Sequence, residues 1–336
     1  MFNNIKYRII ISIIIGIGLT VGILVVSNPV SLFNKLLQAN IWWLLLFIIT
    51  WILYYVVRSI RLKILLIPIK KDVKIKNMFW ATSIGYMVNA IIPIRVGGEI
   101  AKSYVIKEKE NIEFAKSLTS VAVERILDLL SISVLGLIGV FLVSGEVLLP
   151  SWIENGLKIV TLGITGLLII FIVTARNEGR FTKHIFSLIN KIPVSDNAKK
   201  KINKFVVDAV TGLKLITSNK KVFISSLMLS MIIWTLQFLS VLLIFVSFDI
   251  NTPASLLLLG SMIIQLTFIL PSAPGFIGTY EAYWALVLST LNISNLEFLL
   301  ATAIVSHILQ VLIIIIFGSI ALSNIQIKFT KLIKMK

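Results

Sequence analysis

The 336-residue chain contains no cysteine and only two histidines, His184 and His307. The absence of cysteine excludes disulfides, thiol catalysis and cysteine-ligated metal sites, and two histidines are too few for a histidine-cluster metal site. Charge is scarce as well, because 14% of the residues are charged and 57% are apolar, whereas soluble proteins carry about 25% charged residues. These shortages exclude a water-soluble fold, and we expect neither a metal nor a cofactor.

Motifs for energy coupling and catalysis are also missing. The chain has no G-x-x-x-x-G-K-[ST] loop, which excludes ATP-driven transport by this chain alone. It has no Asp-x-Asp pair and no recognisable Ser/His/acid set. We therefore assign no catalytic residue and do not expect an enzyme.

The net charge is +17, and the basic residues behind it are unevenly distributed along the chain. Lys and Arg are concentrated in residues 57–77, 93–118 and 175–221. One lysine and four acids occupy the remaining loops, which are residues 28–40, 144–156, 249–252 and 292–297. Because cytoplasmic loops of membrane proteins are rich in Lys and Arg, the basic segments and both termini are predicted to be cytoplasmic. The surplus therefore marks orientation in the cell membrane, and we expect no nucleic-acid partner.

Apolar runs of about 20 residues can cross the hydrocarbon core of a bilayer. The candidate spans are Ile9–Val26, Ile41–Val57, Val121–Val143, Leu157–Thr174, Val222–Phe248 and Phe298–Leu322. Two further apolar stretches, 78–107 and 253–291, are interrupted by proline and glycine. Their flanking charges predict that the first enters from and returns to the cytoplasm, and the second does so from outside. The arms of the second stretch are the longer ones and could reach right through.

These elements predict an all-α polytopic membrane protein with an inverted-topology repeat. Each half has three transmembrane helices and one broken or re-entrant helical hairpin, which in transporters is typical of a binding site near the bilayer midplane. The first repeat is residues 1–143, an outside linker follows at 144–156, and the second repeat is 157–322. The second repeat includes a cytoplasmic amphipathic segment at 176–220, and residues 323–336 form a basic cytoplasmic tail.

The two interruptions have a common order: proline, then glycine, then a carboxylate at the start of the returning helix. Proline removes a backbone N–H, glycine permits a tight turn, and a helix N-terminus favours an anion. The polar and turn-forming residues of the first interruption are Asn89, Pro93, Arg95, Gly97, Gly98, Glu99 and Lys102. Those of the second are Pro271, Pro274, Gly275, Gly278 and Glu281.

The helix after the first interruption carries Glu124, Arg125 and Asp128. Charges inside a membrane are costly and usually paired. One interpretation is a structural ion network with Arg95 and Glu99, and the other is a phosphate or proton site built from the same residues. Glu281 has no basic residue nearby in sequence, so it needs a partner from another helix or a proton.

Three weaker candidates lie elsewhere in the chain. Arg58 and Arg61 follow two tyrosines at the end of the second span. This pattern favours interfacial anchors, and the alternative is capture of a lipid phosphate at a cavity mouth. His307 and Gln310 share a helix face, which favours an interhelical hydrogen bond over proton transfer. Apolar residues at helical spacing over 195–217, with lysines beside them, indicate an amphipathic helix on the anionic inner leaflet.

Three motifs together resemble a known family. They are Pro-x-Arg-x-Gly-Gly-Glu at 93–99, Glu-Arg-x-x-Asp at 124–128 and Pro-x-x-Pro-Gly-x-x-Gly-x-x-Glu at 271–281. In this order they resemble the flippase-like membrane family named for the transmembrane region of lysylphosphatidylglycerol synthase, the multiple peptide resistance factor. The resemblance covers about residues 5–325 and implies a domain that binds or translocates phospholipids or polyprenyl-linked lipids. Lys102 stands where many members have arginine.

The function we expect is that of a lipid flippase or scramblase. Arg95, with Arg125 and Lys102, would hold the head-group phosphate of an anionic phospholipid or a polyprenyl-phosphate-linked lipid. The carboxylates Glu99, Glu124, Asp128 and Glu281 would balance these cations, and one of them would exchange a proton. Because the sequence stops at Lys336, without an aminoacyl-transferase domain, we expect no lipid lysylation.

Two alternatives remain open. The first is a membrane-embedded enzyme acting on a lipid phosphate. The second is a non-transporting lipid-binding partner of a separate glycosyltransferase or other transferase. A homo-oligomer is a further option for the assembly.

Overall fold

The computed structural model describes residues 14, 17–22, 29–91, 96–144, 151–190, 195–268 and 272–326. Within these ranges every regular element is helical, and residues 17–22 belong to the first predicted span. The helices that follow are α1 (Pro29–Leu36), α2 (Ile41–Leu66), α3 (Ile75–Ile91), α4 (Gly97–Glu110), α5 (Phe114–Val143), α6 (Ser151–Arg176), α7 (Glu178–Asn190), α8 (Asp196–Ser218), α9 (Lys220–Ser247), α10 (Ala254–Thr267), α11 (Thr279–Thr290) and α12 (Leu296–Ile325). The chain is a polytopic all-α membrane protein, as the sequence predicts.

Four of the described helices are long and apolar enough to cross a membrane: α2, α5, α9 and α12. Asparagine side chains begin three of them by accepting a backbone N–H of the first turn, namely Asn40, Asn219 and Asn295. α2 continues to Leu66 and α5 begins at Phe114, so both extend beyond the apolar runs predicted for them. In the extension of α2, Arg58 and Arg61 are paired inside the protein with carboxylates of α5.

The first interruption is a tight helical hairpin made of α3 and α4. Gly98 lies against α3 so closely that an added methyl group would overlap the Gly85 carbonyl oxygen and the Asn89 side chain. The amide of Gly98 donates a hydrogen bond of 2.7 Å to Oδ1 of Asn89. Asn89 therefore accepts the hydrogen bond of an amide at the start of α4 that we expected to be available to an anion. Pro93 and Arg95 lie outside the described residues.

The second interruption is a hairpin of α10, a 3-10 turn at Pro274–Phe276, and α11. Gly275 and Gly278 have φ angles of 64° and 74°, a backbone conformation that glycine adopts without strain. The arms contain 14 and 12 residues against 17 in α3, or about 21 and 18 Å of helix. The expectation that these arms could reach right through is wrong, because the break takes up residues that the apolar count assigned to the arms. Pro271 lies outside the described residues.

Each hairpin packs on the long helix that follows the other hairpin in the chain. The first hairpin packs through α3 on α12, and the second packs through α10 on α5, while α2 and α9 lie along each other. A glycine of the long helix lies at each crossing, Gly318 against Met87 and Gly139 against Leu259. The 274–276 turn also contacts α3, so the second interruption lies against one arm of the first hairpin.

The predicted amphipathic helix is α8, and Ser195 caps it by accepting the Ala198 amide. In its second half Val210, Leu213 and Ile216 are buried, and α8 packs on α5. α5 therefore covers the apolar face of this half, and the placement of the segment on the inner leaflet stays a prediction. The chain is described up to Gln326, so most of the predicted tail lies outside the described residues.

Gly98→Ala is expected to destabilise the first hairpin. The new methyl group overlaps backbone and side-chain atoms of α3, and overpacking of this kind costs about 1–3 kcal/mol. Thermal unfolding in detergent should show a lower Tm. Gly97→Ala is the matched control, since its methyl group would meet only Val88 at 3.6 Å. Equal Tm values for the two variants would contradict the close crossing of α3 and α4.

Candidate functional site

Asp128, in the middle of α5, joins three helices. Its Oδ2 accepts from Nη1 of Arg58 at 3.1 Å, and its Oδ1 accepts from Nη1 of Arg61 at 2.5 Å. The indole Nε1 of Trp234 on α9 donates to Oδ1 at 3.0 Å. Arg61 also donates from Nη2 to Glu124 at 3.2 Å. This carboxylate therefore fixes α2 and α9 against α5 deep inside the protein.

Arg58 and Arg61 are not interfacial anchors, contrary to the favoured sequence interpretation. Their exposed fractions are 3% and 0%. Both are buried because α2 continues beyond its apolar run and turns their side chains towards α5. The sequence held one signal of this arrangement: two arginines three residues apart match the carboxylates of Glu124 and Asp128 four residues apart, since both spacings place side chains on one helix face.

The α4 helix contributes two more ion pairs to α5. Nζ of Lys102 donates to Oε2 of Glu124 at 2.6 Å, and both side chains are buried. Arg125 pairs with Glu99, but its side chain is 49% exposed. Arg125 is thus the cation of this cluster that is most accessible to a ligand. A single carboxylate contact suits the ammonium group of Lys102.

A cavity opens beside this cluster between α2, α3, α4 and α5. Its empty volume is about 320 Å³ including the mouth. The residues that line it are Arg58, Thr82, Gly85, Tyr86, Asn89, Gly98, Glu99, Lys102, Val121, Glu124, Arg125 and Asp128. All four helices contribute polar or charged side chains to the lining, which is unusual for an interior surrounded by lipid.

The described cluster carries one net positive charge. Four cations, Arg58, Arg61, Lys102 and Arg125, face three carboxylates, Glu99, Glu124 and Asp128. The buried Nε–H groups of Arg58 and Arg61 have no hydrogen-bond partner within the described part of the chain. A buried cation surplus with unused donors is a favourable environment for an anion.

Aromatic rings hold Arg58 in position. Its guanidinium carbon lies 4.6 Å from the ring centre of Tyr54 and 5.5 Å from that of Trp234. Tyr86 contributes a third ring at 5.7 Å, and its hydroxyl shares a hydrogen bond of 2.9 Å with that of Tyr54. These cation–π contacts stabilise the charge and restrict its movement. They were missed because the rings come from three separate helices.

A second polar cluster lies at the other hairpin. Nδ1 of His307 lies 2.7 Å from Oε1 of Glu281, and Nε2 lies 2.8 Å from the carbonyl oxygen of Gly275. Gln310 donates to the Tyr280 hydroxyl at 2.9 Å. The predictions that Glu281 finds a partner on another helix and that His307 and Gln310 form interhelical hydrogen bonds are confirmed.

The predicted site residues therefore divide into two groups with distinct surroundings. The residues that line the cavity are Asn89, Gly98, Glu99, Lys102, Glu124, Arg125 and Asp128, while Gly97 begins α4 beside them. The described residues of the second hairpin, Pro274, Gly275, Gly278 and Glu281, do not line it. The lining residues Thr82, Gly85 and Tyr86 were not predicted, because nothing in the sequence of α3 alone shows which face meets the charges.

Comparison with known proteins identifies the family of the chain. Residues 11–318 match the family described as the lysylphosphatidylglycerol synthase TM region. The chain belongs to this family. The match covers all of the helices that build the charged cluster and both hairpins.

Proteins similar to this chain occur in archaea. The chain is 26% identical over 212 residues to a UPF0104 membrane protein of Methanothermobacter thermautotrophicus, covering 62% of each chain. A second match to a UPF0104 membrane protein of that organism is 22% identical over 300 residues and covers 86% of this chain and 87% of the relative. Glycosyltransferase AglD of Haloferax volcanii is 22% identical over 317 residues, 85% of this chain but 48% of AglD. No solved structure matches the chain.

Asp128→Asn is expected to destabilise the protein strongly. The substitution removes the carboxylate charge that faces two buried arginines, and breaking a buried pair in this way costs about 3–5 kcal/mol. Thermal or denaturant unfolding in detergent would measure the loss. The matched control is Glu154→Gln, which breaks the exposed pair with Lys158 and should change stability by less than about 1 kcal/mol. Similar small effects for both would show that Asp128 does not hold the helices together.

Proposed function

We propose that this protein is a lipid flippase or scramblase that binds the phosphate of an anionic lipid head group in the charged cavity. The proposal rests on the cavity together with the ion cluster beside it. The cluster carries one net positive charge when Arg61, just outside the cavity lining, is counted, and Arg58 in the cavity wall has an unused Nε–H donor. A head-group phosphate supplies the negative charge and the acceptors that balance this cluster. Both an anionic phospholipid and a polyprenyl phosphate have that chemistry.

The contact between Arg125 and Glu99 is the entry point in this proposal. Arg125 is the half-exposed cation, and its planar guanidinium suits a phosphate with two parallel hydrogen bonds. Glu99 competes with the phosphate for that guanidinium, and its second oxygen is buried without a partner in the described residues. When the lipid binds, its phosphate therefore replaces Glu99 as the partner of Arg125. Both interpretations of the charges, structural network and phosphate site, describe the same residues in two states.

Alternating exposure of the site follows from the proposed inverted repeat with cytoplasmic termini. Its support is the exchanged packing, in which the hairpin of each half lies on the last helix of the other half and α2 lies along α9. Rocking of the two halves about these crossings would expose the cavity first to one side of the membrane and then to the other. The family of the chain and its polar cavity are consistent with this transport class.

A second candidate function is lipid binding without transport, beside a glycosyltransferase. The similarity to AglD favours it, because AglD is a glycosyltransferase and the matched stretch is 48% of its length. The same cavity would then present a lipid phosphate to a partner. Head-group binding without movement of lipid between leaflets would identify this function.

Opposite changes in lipid transport are expected from two substitutions in one ion pair. Arg125→Gln removes the accessible cation and should lower the transport of fluorescent phosphatidylglycerol in liposomes by about tenfold or more, since a hydrogen bond to a charged group contributes about 1.5–3 kcal/mol. Glu99→Gln frees Arg125 and should increase the transport of the same lipid at lipid fractions below saturation, because its apparent affinity rises. Reduction of the outer-leaflet fluorophore by dithionite measures both transport rates.

Lys158→Gln on α6 is the control, because it removes an exposed cation that does not line the cavity. A purely structural network predicts a different result. In that case both substitutions in the pair lower Tm together and neither changes the affinity for anionic lipid, which would contradict the proposed function.

A further inference from the structure

The Glu99–Arg125 pair has a positional counterpart in the other half of the chain. Glu99 is the third residue of α4, and Arg125 is the twelfth residue of α5. Glu281 is the third residue of α11, and His307 is the twelfth residue of α12. The separation along the chain is 26 residues in both pairs. In each half, therefore, the carboxylate that opens the returning arm bonds the same position of the next long helix.

The two pairs differ in one chemical respect. Arginine keeps its charge at every pH that a protein experiences, whereas histidine gains and loses a proton in the physiological range. The first pair is thus permanently charged, and the second is titratable. The two pairs occupy matching positions. Their difference in chemistry suits the Glu99–Arg125 pair to binding an anion and the Glu281–His307 pair to binding a proton.

The geometry of the second pair specifies how many protons it holds. The Gly275 carbonyl can only accept a hydrogen bond, so Nε2 of His307 carries a hydrogen. The 2.7 Å contact between Nδ1 and Oε1 of Glu281 then requires one further proton between these two atoms. Loss of that proton to water leaves two acceptors facing each other, which breaks the contact. The pair is closed when it holds the proton and open after release.

The surroundings leave this exchange to Glu281 and His307. The Tyr280 ring stacks on His307 with the ring centres 4.6 Å apart, and its hydroxyl is engaged by Ser306 and Gln310. The remaining titratable groups on α11, α12 and α3 are Tyr283, Glu297, Lys76 and Tyr86, while α10 and the turn carry none. The other helices packed on α12 carry Lys35 on α1, Tyr54, Tyr55, Arg58, Arg61 and Lys63 on α2, and Lys220 and Lys221 on α9. Oε2 of Glu281 is buried without a partner in the described residues.

A direct path connects the pair to the anion cavity. The Gly275 carbonyl, held by His307, belongs to the turn that packs on the end of α3, where a methyl group on Gly275 would lie 3.9 Å from the Ala90 carbonyl oxygen. The preceding residue, Asn89, lines the cavity and holds the Gly98 amide. Opening of the His307 contacts therefore frees the turn that supports the cavity wall.

We propose that Glu281 and His307 form a proton-binding site whose loading is linked to head-group binding at Arg125. This inference rests on the proposed function, because it names the ion that accompanies the lipid. Binding of an anion in the cavity stabilises the closed, proton-loaded pair. Since such coupling is reciprocal, the occupied cavity must also raise the affinity of the pair for its proton.

The chain permits a direct measurement, because His184, an exposed residue on α7, is its one other histidine. His184→Gln leaves a single imidazole, and ¹⁵N-histidine NMR of this variant in lipid nanodiscs reports both ring nitrogens between about pH 5 and 9. We expect Nε2 to stay protonated and Nδ1 to titrate. Glu281→Gln in the same background should lower the midpoint by at least about one pH unit, because the carboxylate stabilises the added proton. Permanent protonation of Nδ1, or a midpoint that Glu281→Gln leaves unchanged, would overturn the proton site.

The link to the cavity is tested by comparing nanodiscs of phosphatidylglycerol and phosphatidylcholine. Anionic lipid should raise the midpoint, and Arg125→Gln should remove the part of that increase that comes from the cavity while leaving the part that comes from surface charge. An equal increase in both proteins would overturn the linkage. Failure of the transport assay together with a proton-sharing pair would instead reject the proposed function and retain the proton site, so the two failures are distinguishable.

Discussion

The pairing of Asp128 with Arg58 and Arg61 is the interaction on which the rest of the structure depends. Two guanidinium groups within apolar helices are stable only where a carboxylate and further hydrogen bonds compensate them. Asp128 supplies this compensation from α5, Trp234 completes it from α9, and α2 is thereby fixed between them. The cavity, the accessible Arg125 and the packing of the first hairpin all follow from this fixed arrangement of long helices.

The two hairpins give the molecule two related sites with different chemistry. Each hairpin places a carboxylate at the third position of its returning arm and bonds it to the twelfth position of the next long helix. The first pair lies beside a surplus of cations, while the second lies beside neutral hydroxyl and amide groups. A permanent charge is suited to holding a phosphate, and a titratable pair is suited to reporting or driving its movement. The 274–276 turn of the second hairpin contacts α3, and α3 lines the cavity.

Much of this architecture could be predicted from the sequence. Four of the six predicted spans, both interruptions and the carboxylates Glu99 and Glu281 at the start of the returning arms follow from apolar runs and from proline and glycine, which act locally. The partners of the charges could not be predicted in this way. Arg58 was interpreted as an interfacial anchor because its partner, Asp128, is 70 residues away, and a local pattern carries no information about such a distance. The short arms of the second hairpin were missed for a similar reason, since composition does not show where a helix stops within an apolar stretch.

The cavity beside Arg125 is proposed to hold the phosphate of an anionic lipid. Native mass spectrometry of the detergent-solubilised protein tests this binding most directly, with phosphatidylglycerol and phosphatidylcholine of identical acyl chains offered in competition. We expect one anionic lipid to remain bound to the wild-type chain, and we expect Arg125→Gln to lose this preference while Lys158→Gln keeps it. Equal retention of the two lipids by the wild type, or an unchanged preference in Arg125→Gln, would contradict the proposed binding.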